Sequence, residues 1–275
     1  MPGKERMSLE QIYLEYNESY FADRFLEYAW HYEAHLPPPS RNEPIHIMEI
    51  GVQSGGSARI WRQWYGESLR YTGVDINPLA ARAASPRENI VIEIGDQVNA
   101  TFLQHVCVTH GPFDVVIDDG MHTAHTISAS VQFLFPHDSC MATKSIYVVE
   151  DAMVMRTKGY APQGPGGISW IAAEAWESIH HYYAPQKPGW LFQSERSSST
   201  RDRRVHPIFK DLVSEVHLYD GMVFIVRDHN ATGSQNHVVT VVNRSPGKHE
   251  GKTRTILAAG PHHVQRGWDR IPEVP

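Results

Sequence analysis

Residues 45–65 read IHIMEIGVQSGGSARIWRQWY. An apolar run, Ile45–Ile50, leads into a turn with three glycines and then into a segment of helical character. Glycine permits positive φ and lets a ligand approach the backbone closely, while the N-terminus of the following helix offers unpaired N–H groups. The stretch therefore predicts a strand, a ligand-binding turn and a helix, which together form the first unit of an α/β sheet.

The same alternation of short apolar runs and helical segments continues along the chain. It predicts strands at 45–50, 71–74, 90–94, 114–117 and 145–149, and helices at 58–65, 78–84, 98–109, 124–135 and 169–183. Two further apolar runs, Val213–Leu218 and Met222–Val226, flank Tyr219-Asp220-Gly221, and Asp-Gly between such runs is a strong hairpin signal. The expected fold is α/β and doubly wound, with a mostly parallel, seven-stranded sheet that ends in an antiparallel hairpin.

The pattern divides the chain into three regions. Residues 8–35 carry aromatic side chains at roughly helical intervals and stop at three consecutive prolines, which predicts an N-terminal helical cap over 1–40. The aromatic residues of this cap either form core or cover a ligand. The catalytic domain is expected over 41–228, with an exposed loop at 192–204. The extension 229–275 contains one possible strand at 237–242, and its structure is otherwise left open.

Composition narrows the class of protein. The chain has 275 residues, 41% of them hydrophobic, and a formal charge of −6 without a basic block, which disfavours nucleic acid and anionic membranes as partners. No apolar run is long enough to span a membrane, and the charged N-terminus does not resemble a secretory signal. Cys107 and Cys140 are interpreted as ordinary packing positions, which favours a reducing compartment. A cytoplasmic protein is therefore expected.

Polar residues follow the predicted strands at one edge of the sheet, where ligands of open α/β sheets bind. Asp75 ends the second strand 24 residues after Gly51, a position from which a carboxylate can accept the hydrogens of ribose hydroxyls. Asp96 follows the third strand, and either acid could instead cap a helix. The middle glycine of a dinucleotide fingerprint is replaced by Gln53, which counts against a nicotinamide or flavin cofactor.

Two acidic pairs, Asp118-Asp119 and Glu150-Asp151, follow strands that are expected to be neighbours about 5 Å apart. Crowded carboxylates raise each other's pKa and call for a cation or a shared proton. Oxygen ligands favour magnesium or calcium over zinc. A metal held there could bind a substrate hydroxyl and lower its pKa, and His122 could accept its proton. The competing interpretation of His122 is a loop histidine satisfied by hydrogen bonds.

Five spaced motifs carry a resemblance to a known family: GxxxGG after strand one, GVD after strand two, GDQ after strand three, DDGxH after strand four and VED after strand five. Together they resemble class I S-adenosylmethionine-dependent methyltransferases. More narrowly, they are similar to sugar O-methyltransferases of the macrocin and mycinamicin type, with the related rhamnosyl O-methyltransferases and the cephalosporin hydroxylase group. The resemblance covers about Ile45 to Asp228.

The resemblance implies an S-adenosylmethionine cofactor, a magnesium ion and a hydroxyl-bearing small-molecule acceptor, most simply a sugar. The residues it assigns to the cofactor are Glu49, Gly51, Ser57, Asp75, Asp96, Gln97 and Asp118. Among these, Asp75 is expected to hold the ribose, and Asp96 with Gln97 to lie beside the adenine. The implied metal ligands are Asp119, Glu150 and Asp151, and the implied catalytic base is His122.

Two alternatives stay open at this point. One is a metal-dependent hydroxylase or hydrolase on the same fold, and the other is a non-catalytic adenosylmethionine-binding protein. The acceptor is expected to contact the N-terminal cap and the segment 153–169, where Tyr160, Trp170 and the glycines of 164–167 could form a lid. The aromatic cap also makes a homo-oligomer possible.

Overall fold

The computed structural model describes residues 6–18, 20, 22, 24–40, 42–156, 168–180, 208–209, 212–228, 237–241 and 254–258. The predicted loop at 192–204, the candidate lid residues Tyr160 and 164–167, and most of the chain after 229 lie outside these ranges. The stretch that carries the five motifs is thus described except at 157–167, 181–207 and 210–211.

The described residues form nine strands in one sheet. They are β1 Ile45–Ile50, β2 Leu69–Asp75, β3 Ile90–Ile94, β4 Phe113–Asp118, β5 Met141–Val149, β6 Val213–Leu218, β7 Val223–Asp228, β8 His237–Val241 and β9 Arg254–Ala258. Their order is β3-β2-β1-β4-β5-β7-β6-β8-β9. The first five strands in this order run parallel, and β7 pairs antiparallel with both β5 and β6. The predicted seven-stranded sheet with its hairpin is confirmed in β1–β7, and the possible strand at 237–242 is β8.

The apolar runs that predicted the central strands reflect burial on both faces. β1 and β4 each bury five of their six residues, whereas the edge strand β3 buries one of five. Parallel strands covered by helices on both sides lose the apolar–polar alternation of a half-exposed sheet. β1 accordingly has apolar side chains at four of its six positions and no strict apolar–polar alternation.

In the part of the chain that the structure describes, six α-helices accompany the sheet: α1 Leu9–Glu15, α2 Leu26–His35, α3 Gly56–Tyr65, α4 Ala100–His110, α5 Ala124–Leu134 and α6 Ile168–His180. The predicted helix at 78–84 is a 3₁₀ helix, Pro78–Ala83. Asn77 caps the start of this helix, and Pro78 favours helical φ. The helix ends after six residues because Ser85 already pairs with Ile90, the first residue of β3.

Among the described residues, the two larger of three hydrophobic clusters lie on opposite faces of the sheet. One contains Val106 of α4, Val131 of α5 and Ala175 of α6, and Trp170 packs against it at partial exposure. The other contains residues of α1, α2 and α3, where Tyr32 meets Trp61 edge to face at 4.9 Å. Trp170, predicted as a candidate lid residue, therefore contributes to the packing of α6.

The N-terminal cap consists of two short helices with a non-helical segment between them. Ser8 starts α1 with a capping box that includes Gln11, and Phe25 is the N-cap of α2. Both helices bury side chains in the core shared with α3. Arg24, which lies just before α2, contacts acidic residues at the carboxyl ends of β1 and β5.

The interpretation of the two cysteines as unpaired packing positions is wrong. Cys107 in α4 and Cys140, just ahead of β5, form a disulfide with their Cα atoms 4.6 Å apart. Their separation of 33 residues gave no sign of this, because docking of α4 beside β5 brings them together. Cysteine usage therefore no longer favours a reducing compartment. Among the described helices, none has the length and apolarity needed to cross a membrane.

Candidate active site

The glycine turn after β1 brings two strand ends into close contact. Gly51 has φ +93°, and a Cβ atom at this position would lie 2.1 Å from the carbonyl oxygen of Asp119. Gly55 has φ +92° and is the N-cap of α3. Both positions require glycine because of their backbone conformation and for space, since a Cβ atom at Gly55 would lie 2.3 Å from Ala83 Cβ. The start of the turn thus lies directly against the end of β4.

We expect Gly51→Ala to destabilise the protein by about 2–5 kcal/mol, because positive φ costs about 1–2 kcal/mol and overpacking about 1–3 kcal/mol. Gly66→Ala is the matched control, since Gly66 also has positive φ but no atom lies within 4 Å of its Cβ position. Denaturant unfolding of both variants measures the difference. Equal losses in the two variants would show that the contact with Asp119 costs nothing.

Asp75 holds the glycine turn in place. Its Oδ2 accepts hydrogen bonds from the backbone N–H groups of Val52 (2.9 Å) and Gln53 (2.8 Å), and its Oδ1 accepts one from Asn77 (2.8 Å). Asp96 accepts a hydrogen bond from the N–H of Val98 at 3.0 Å. Both acids therefore lie at the carboxyl edge of the sheet, as predicted, and each also organises its own turn.

Gln97 and Asp118 form a buried network beneath this edge. The Asp118 carboxylate accepts hydrogen bonds from Gln97 Nε2 (3.2 Å) and the hydroxyls of Ser130 (2.5 Å) and Tyr147 (3.0 Å), and the residue has no exposed surface. Asp118, predicted to contact the cofactor, has its side chain in this buried network. Successive strand residues point to opposite faces, so Asp118 turns towards α5 while Asp119 turns to the open edge.

Four carboxylates gather where β1, β4 and β5 end: Glu49, Asp119, Glu150 and Asp151. Parallel pairing of β4 with β5 aligns the ends that carry the two acidic pairs, as predicted. Pairing of β1 with β4 adds Glu49, which was not predicted to join the cluster, whereas Asp118 of the first pair lies in the buried network. Glu49 and Glu150 are fully or almost fully buried, while the Asp119 side chain is 20% exposed. The site is thus an acidic cluster with its open side at Asp119 and Asp151.

Arg24, from the segment between α1 and α2, inserts into the acidic cluster. Its Nη2 lies 2.6 Å from Glu49 Oε1, and its Nη1 lies 3.1 Å from Asp119 Oδ2 and donates a hydrogen bond to Glu150 Oε2. The Arg24 side chain is 8% exposed. One buried guanidinium therefore joins three of the four carboxylates.

Burial and mutual repulsion shift the acids of the cluster. Burial raises the pKa of Asp119 well above its usual value, and Glu150 and Glu49 raise it further against the opposing effect of Arg24. Burial likewise raises the pKa of Glu150 to about 7, again against Arg24. Burial acts to lower the pKa of Arg24, but the three surrounding carboxylates outweigh it and raise that pKa. The guanidinium thus stays charged, and the carboxylates need further positive charge or protons.

Two tyrosines of α2 complete the acidic cluster. The Tyr28 hydroxyl donates to Asp151 Oδ1 at 2.7 Å, and the Tyr32 hydroxyl donates to Glu150 Oε1. Burial raises the pKa of both hydroxyls, so they act as donors. Both oxygens of Glu150 are therefore engaged, one by Arg24 and one by Tyr32.

His122 lies at the open side of the cluster. Its Nε2 is 3.8 Å from Asp119 Oδ1 and 3.8 Å from Asp151 Oδ2, and these three residues offer ligand atoms within 4.8 Å of one another. His122 and Asp151 have φ of 55° and 51°, values that non-glycine residues rarely adopt and that cluster at functional sites. The buried His122 Nδ1 has no hydrogen-bond partner among the described residues. The predicted base and two predicted metal ligands thus form one group, whereas Glu150 faces Arg24.

The acidic cluster opens into a cavity of about 310 Å³. Gly51, Ser57, Asp119 and His122 line one part of it. Its other lining residues include Phe25 of the N-terminal cap and Met153 and Val154 after β5. The glycine turn, the acids and the cap therefore share one cavity.

Sequence reasoning missed Arg24, Tyr28 as an acid partner, and Tyr32. They lie in the cap, outside the five motifs, and reach carboxylates more than 100 residues away in sequence. One signal was available, namely that four clustered acids need a cation. That signal does not say which arginine or lysine supplies the charge.

No protein-family model matches the chain. The chain is 28% identical over 215 residues to demethylmacrocin O-methyltransferase of Streptomyces fradiae, covering 74% of this chain and 49% of the relative. It is 29% identical over 234 residues to mycinamicin VI 2''-O-methyltransferase of Micromonospora griseorubida, covering 80% of this chain and 53% of the relative. The chain therefore spans about half the length of these curated relatives.

A solved structure shows the same fold. The methyltransferase MycE of the mycinamycin biosynthetic pathway, in complex with Mg and SAH, superimposes with a TM-score of 0.66 at 26% identity, covering 84% of this chain and 57% of that one. The predicted resemblance to macrocin and mycinamicin-type sugar O-methyltransferases is thus confirmed, together with the class I methyltransferase fold.

Proposed function

We propose that this protein is an S-adenosylmethionine-dependent, divalent-metal-assisted O-methyltransferase. Its acceptor is a hydroxyl of a sugar, a glycosylated natural product or a similar polyol. The observation that carries this proposal is the group of Asp119, His122 and Asp151 beside the glycine turn in one cavity. The similarity to demethylmacrocin O-methyltransferase and mycinamicin VI 2''-O-methyltransferase supports the same reaction.

The proposed cofactor site uses the carboxyl edge of β1, β2 and β3. Gly51 and Ser57 line the cavity, and Glu49 lies beneath them at the end of β1. Asp75 holds the ribose, and Asp96 with Gln97 lies beside the adenine. Asp118 supports this site indirectly, since it fixes Gln97. S-adenosylmethionine supplies a methyl group that is already activated on a sulfonium.

The donor atoms at the open side fit a hard divalent cation. They are the carboxylate oxygens of Asp119 and Asp151, together with the imidazole of His122, whose Nε2 lies 3.8 Å from each acid. We assign Asp119, Glu150 and Asp151 as ligands. When bound, the cation lowers the pKa of a coordinated hydroxyl. Glu150 serves as a ligand only after Arg24 releases it.

The remaining chemistry is a proton transfer by the protein. His122 would accept the proton of the acceptor hydroxyl while that oxygen bonds to the methyl carbon and the methyl–sulfur bond breaks, with S-adenosylhomocysteine as the leaving group. Asp119 and Asp151, each 3.8 Å from its Nε2, stabilise the imidazolium that results. The positive φ values of His122 and Asp151 help to hold the side chains of Asp119, His122 and Asp151 in this arrangement.

The acceptor side of the cavity is apolar and aromatic. Phe25 lines the cavity and is 54% exposed, and its ring packs against Tyr28 with the centroids 5.3 Å apart. An exposed aromatic face next to hydroxyl-binding acids suits a sugar ring, which has apolar C–H faces and hydroxyl edges. The small-molecule acceptor proposed above therefore lies between Phe25 and Asp119.

The donor set does not favour the alternative of an iron-dependent hydroxylase. Such enzymes typically use two histidines and one carboxylate, whereas this group has one histidine among several carboxylates. We propose that region 1–40 closes the acceptor side and that 41–228 forms the catalytic domain. The extension 229–275 adds to the sheet edge, since β8 pairs with β6.

Calorimetric titration with S-adenosylhomocysteine and with NAD, with and without magnesium, tests the proposed function. We expect binding of S-adenosylhomocysteine and no comparable binding of NAD. Asp75→Ala should weaken that binding about 10-fold or more, because a hydrogen bond to a charged group contributes about 1.5–3 kcal/mol. Asp114→Ala is the matched control, since Asp114 also accepts a backbone N–H, that of His46, but at the opposite end of the sheet.

Two results would contradict this assignment. If Asp75→Ala bound S-adenosylhomocysteine as tightly as the wild type, Asp75 would not be a ribose-binding residue. Tight binding of NAD would overturn the cofactor itself. The melting temperature of Asp75→Ala separates loss of the ribose contact from loss of the turn, because its carboxylate also holds Val52 and Gln53.

A further inference from the structure

Arg24 holds the position at the centre of the acidic cluster. Its Nη1 contacts one oxygen of Asp119 and one of Glu150, and its Nη2 contacts Glu49 on the opposite side. Among the described residues that line the cavity, Arg24 carries the sole permanent positive charge. The guanidinium therefore occupies the place where the electrostatic need for a cation is greatest.

The Nη1 contacts are incompatible with a divalent cation on the same oxygens. A magnesium ion lies about 2.0–2.1 Å from its oxygen ligands and adds two charges at the point where the guanidinium already lies. Like charges at this separation repel strongly in a buried site. Asp119 and Glu150 can therefore neutralise Arg24 or bind a divalent cation, but not both in the observed arrangement.

We propose that Arg24 is the resident cation of the metal-free protein and competes with the divalent cation for Asp119 and Glu150. This inference rests on the proposed metal site. When a divalent cation binds, the Arg24 Nη1 leaves Asp119 and Glu150, while Nη2 keeps its contact with Glu49. Arg24 is thus a positioning residue that acts through these carboxylates.

The position of Arg24 in the chain couples this exchange to the cap. Arg24 directly precedes Phe25, the N-cap of α2, and α2 also supplies Tyr28 and Tyr32 to the acidic cluster. A shift of Arg24 is therefore transmitted to α2. Cation binding accordingly changes the part of the protein that forms the proposed acceptor side.

Mn²⁺ binding to the full chain, measured by electron paramagnetic resonance, tests the competition. We expect Arg24→Met to bind Mn²⁺ about 10-fold or more tightly than the wild type, since the competing charge is gone. The melting temperature of metal-free Arg24→Met should fall, and Mn²⁺ should raise it by more than in the wild type. A purely structural arginine would give weaker binding when removed.

Arg227→Met is the matched control. Arg227 is also a buried arginine, but it binds the carbonyl oxygens of Met141 and Ala142 and the carboxylate of Asp138, none of which belongs to the acidic cluster. Its variant should lose stability without any gain in Mn²⁺ affinity. A similar gain in Arg227→Met would overturn the proposal, because the effect would then not depend on the acidic cluster.

A measurement on the wild type covers the case in which Arg24→Met does not fold. Hydrogen–deuterium exchange of residues 24–36 should change on Mn²⁺ saturation, while that of β7 should not. The role of Arg24 would be overturned if exchange at 24–36 did not change on Mn²⁺ saturation. It would also be overturned if Arg24→Met bound Mn²⁺ no more tightly than the wild type. Either result would leave the proposed metal site in place. Failure of both the wild type and Arg24→Met to bind Mn²⁺ would overturn the metal site as well.

Discussion

Replacing His122 with alanine is expected to lower methyl transfer about 10²–10⁴-fold, the usual contribution of a positioned general base. His122 lies between Asp119 and Asp151, and its Nδ1 is buried without a partner among the described residues. Among the described residues, no hydrogen bond at the proposed cofactor edge involves this side chain, so affinity for S-adenosylhomocysteine should stay near the wild-type value. Single-turnover rates with a glycosylated acceptor measure the first quantity, and calorimetry measures the second.

The same variant distinguishes a base from a metal ligand. Asp119, His122 and Asp151 are close enough to share an ion, so the imidazole has two possible roles. As a base, His122 can be removed with little change in Mn²⁺ affinity. A loss of Mn²⁺ affinity that accounts for the loss of rate would make it a ligand. His125→Ala is the control, since His125 is an exposed residue three positions further on, in α5.

Replacing Asp119 with asparagine is expected to have the second large effect. Asp119 belongs to the group that can share an ion and also contacts Arg24. Substitutions in the outer shell of a metal site cost about 10–100-fold in affinity or activity, so loss of a direct ligand should cost at least about 100-fold. Mn²⁺ titration and turnover at saturating metal measure both quantities.

Unlike its metal affinity and turnover, the stability of metal-free Asp119→Asn should not fall below that of the wild type. Burial raises the pKa of Asp119, so the charged carboxylate is disfavoured in the folded protein. A carboxyl group with a raised folded-state pKa contributes stability below its unfolded pKa and loses that contribution as the pH rises through the folded value. At neutral pH the neutral isostere should therefore leave the metal-free protein at least as stable as the wild type, as thermal unfolding in chelator would show. Asp138→Asn is the control, since the Asp138 side chain is 68% exposed, although its partner Arg227 is buried.

Full turnover of the wild type in excess chelator would contradict the metal assignment and leave the methyltransferase assignment in place. Loss of S-adenosylhomocysteine binding in Asp119→Asn would instead mean that Asp119 shapes the glycine turn. That outcome is possible because the Asp119 backbone lies directly against Gly51 of the turn. The binding measurement with S-adenosylhomocysteine detects it separately from any loss of metal affinity.

The sequence by itself determined the sheet and the edge on which the site lies. The bounds of β1, β3 and β6 match the predicted strands, and Asp220-Gly221 marks the turn between β6 and β7. These features follow from local rules, since burial on both faces produces continuous apolar runs and tight turns require particular residues. Parallel pairing of β4 with β5 then brings Asp119 close to Asp151, as the two acidic pairs predicted.

Only the tertiary structure decided which partners the site residues have. Arg24 reaches Glu150 across 126 residues, Tyr28 reaches Asp151 across 123, and Cys107 bonds to Cys140 across the α4–β5 contact. The direction in which Asp118 turns, and hence its network with Gln97, was also decided by packing against α5 and β5. Periodicity and motifs report each residue's local conformation and burial, whereas these contacts depend on how the cap and helices dock onto the sheet.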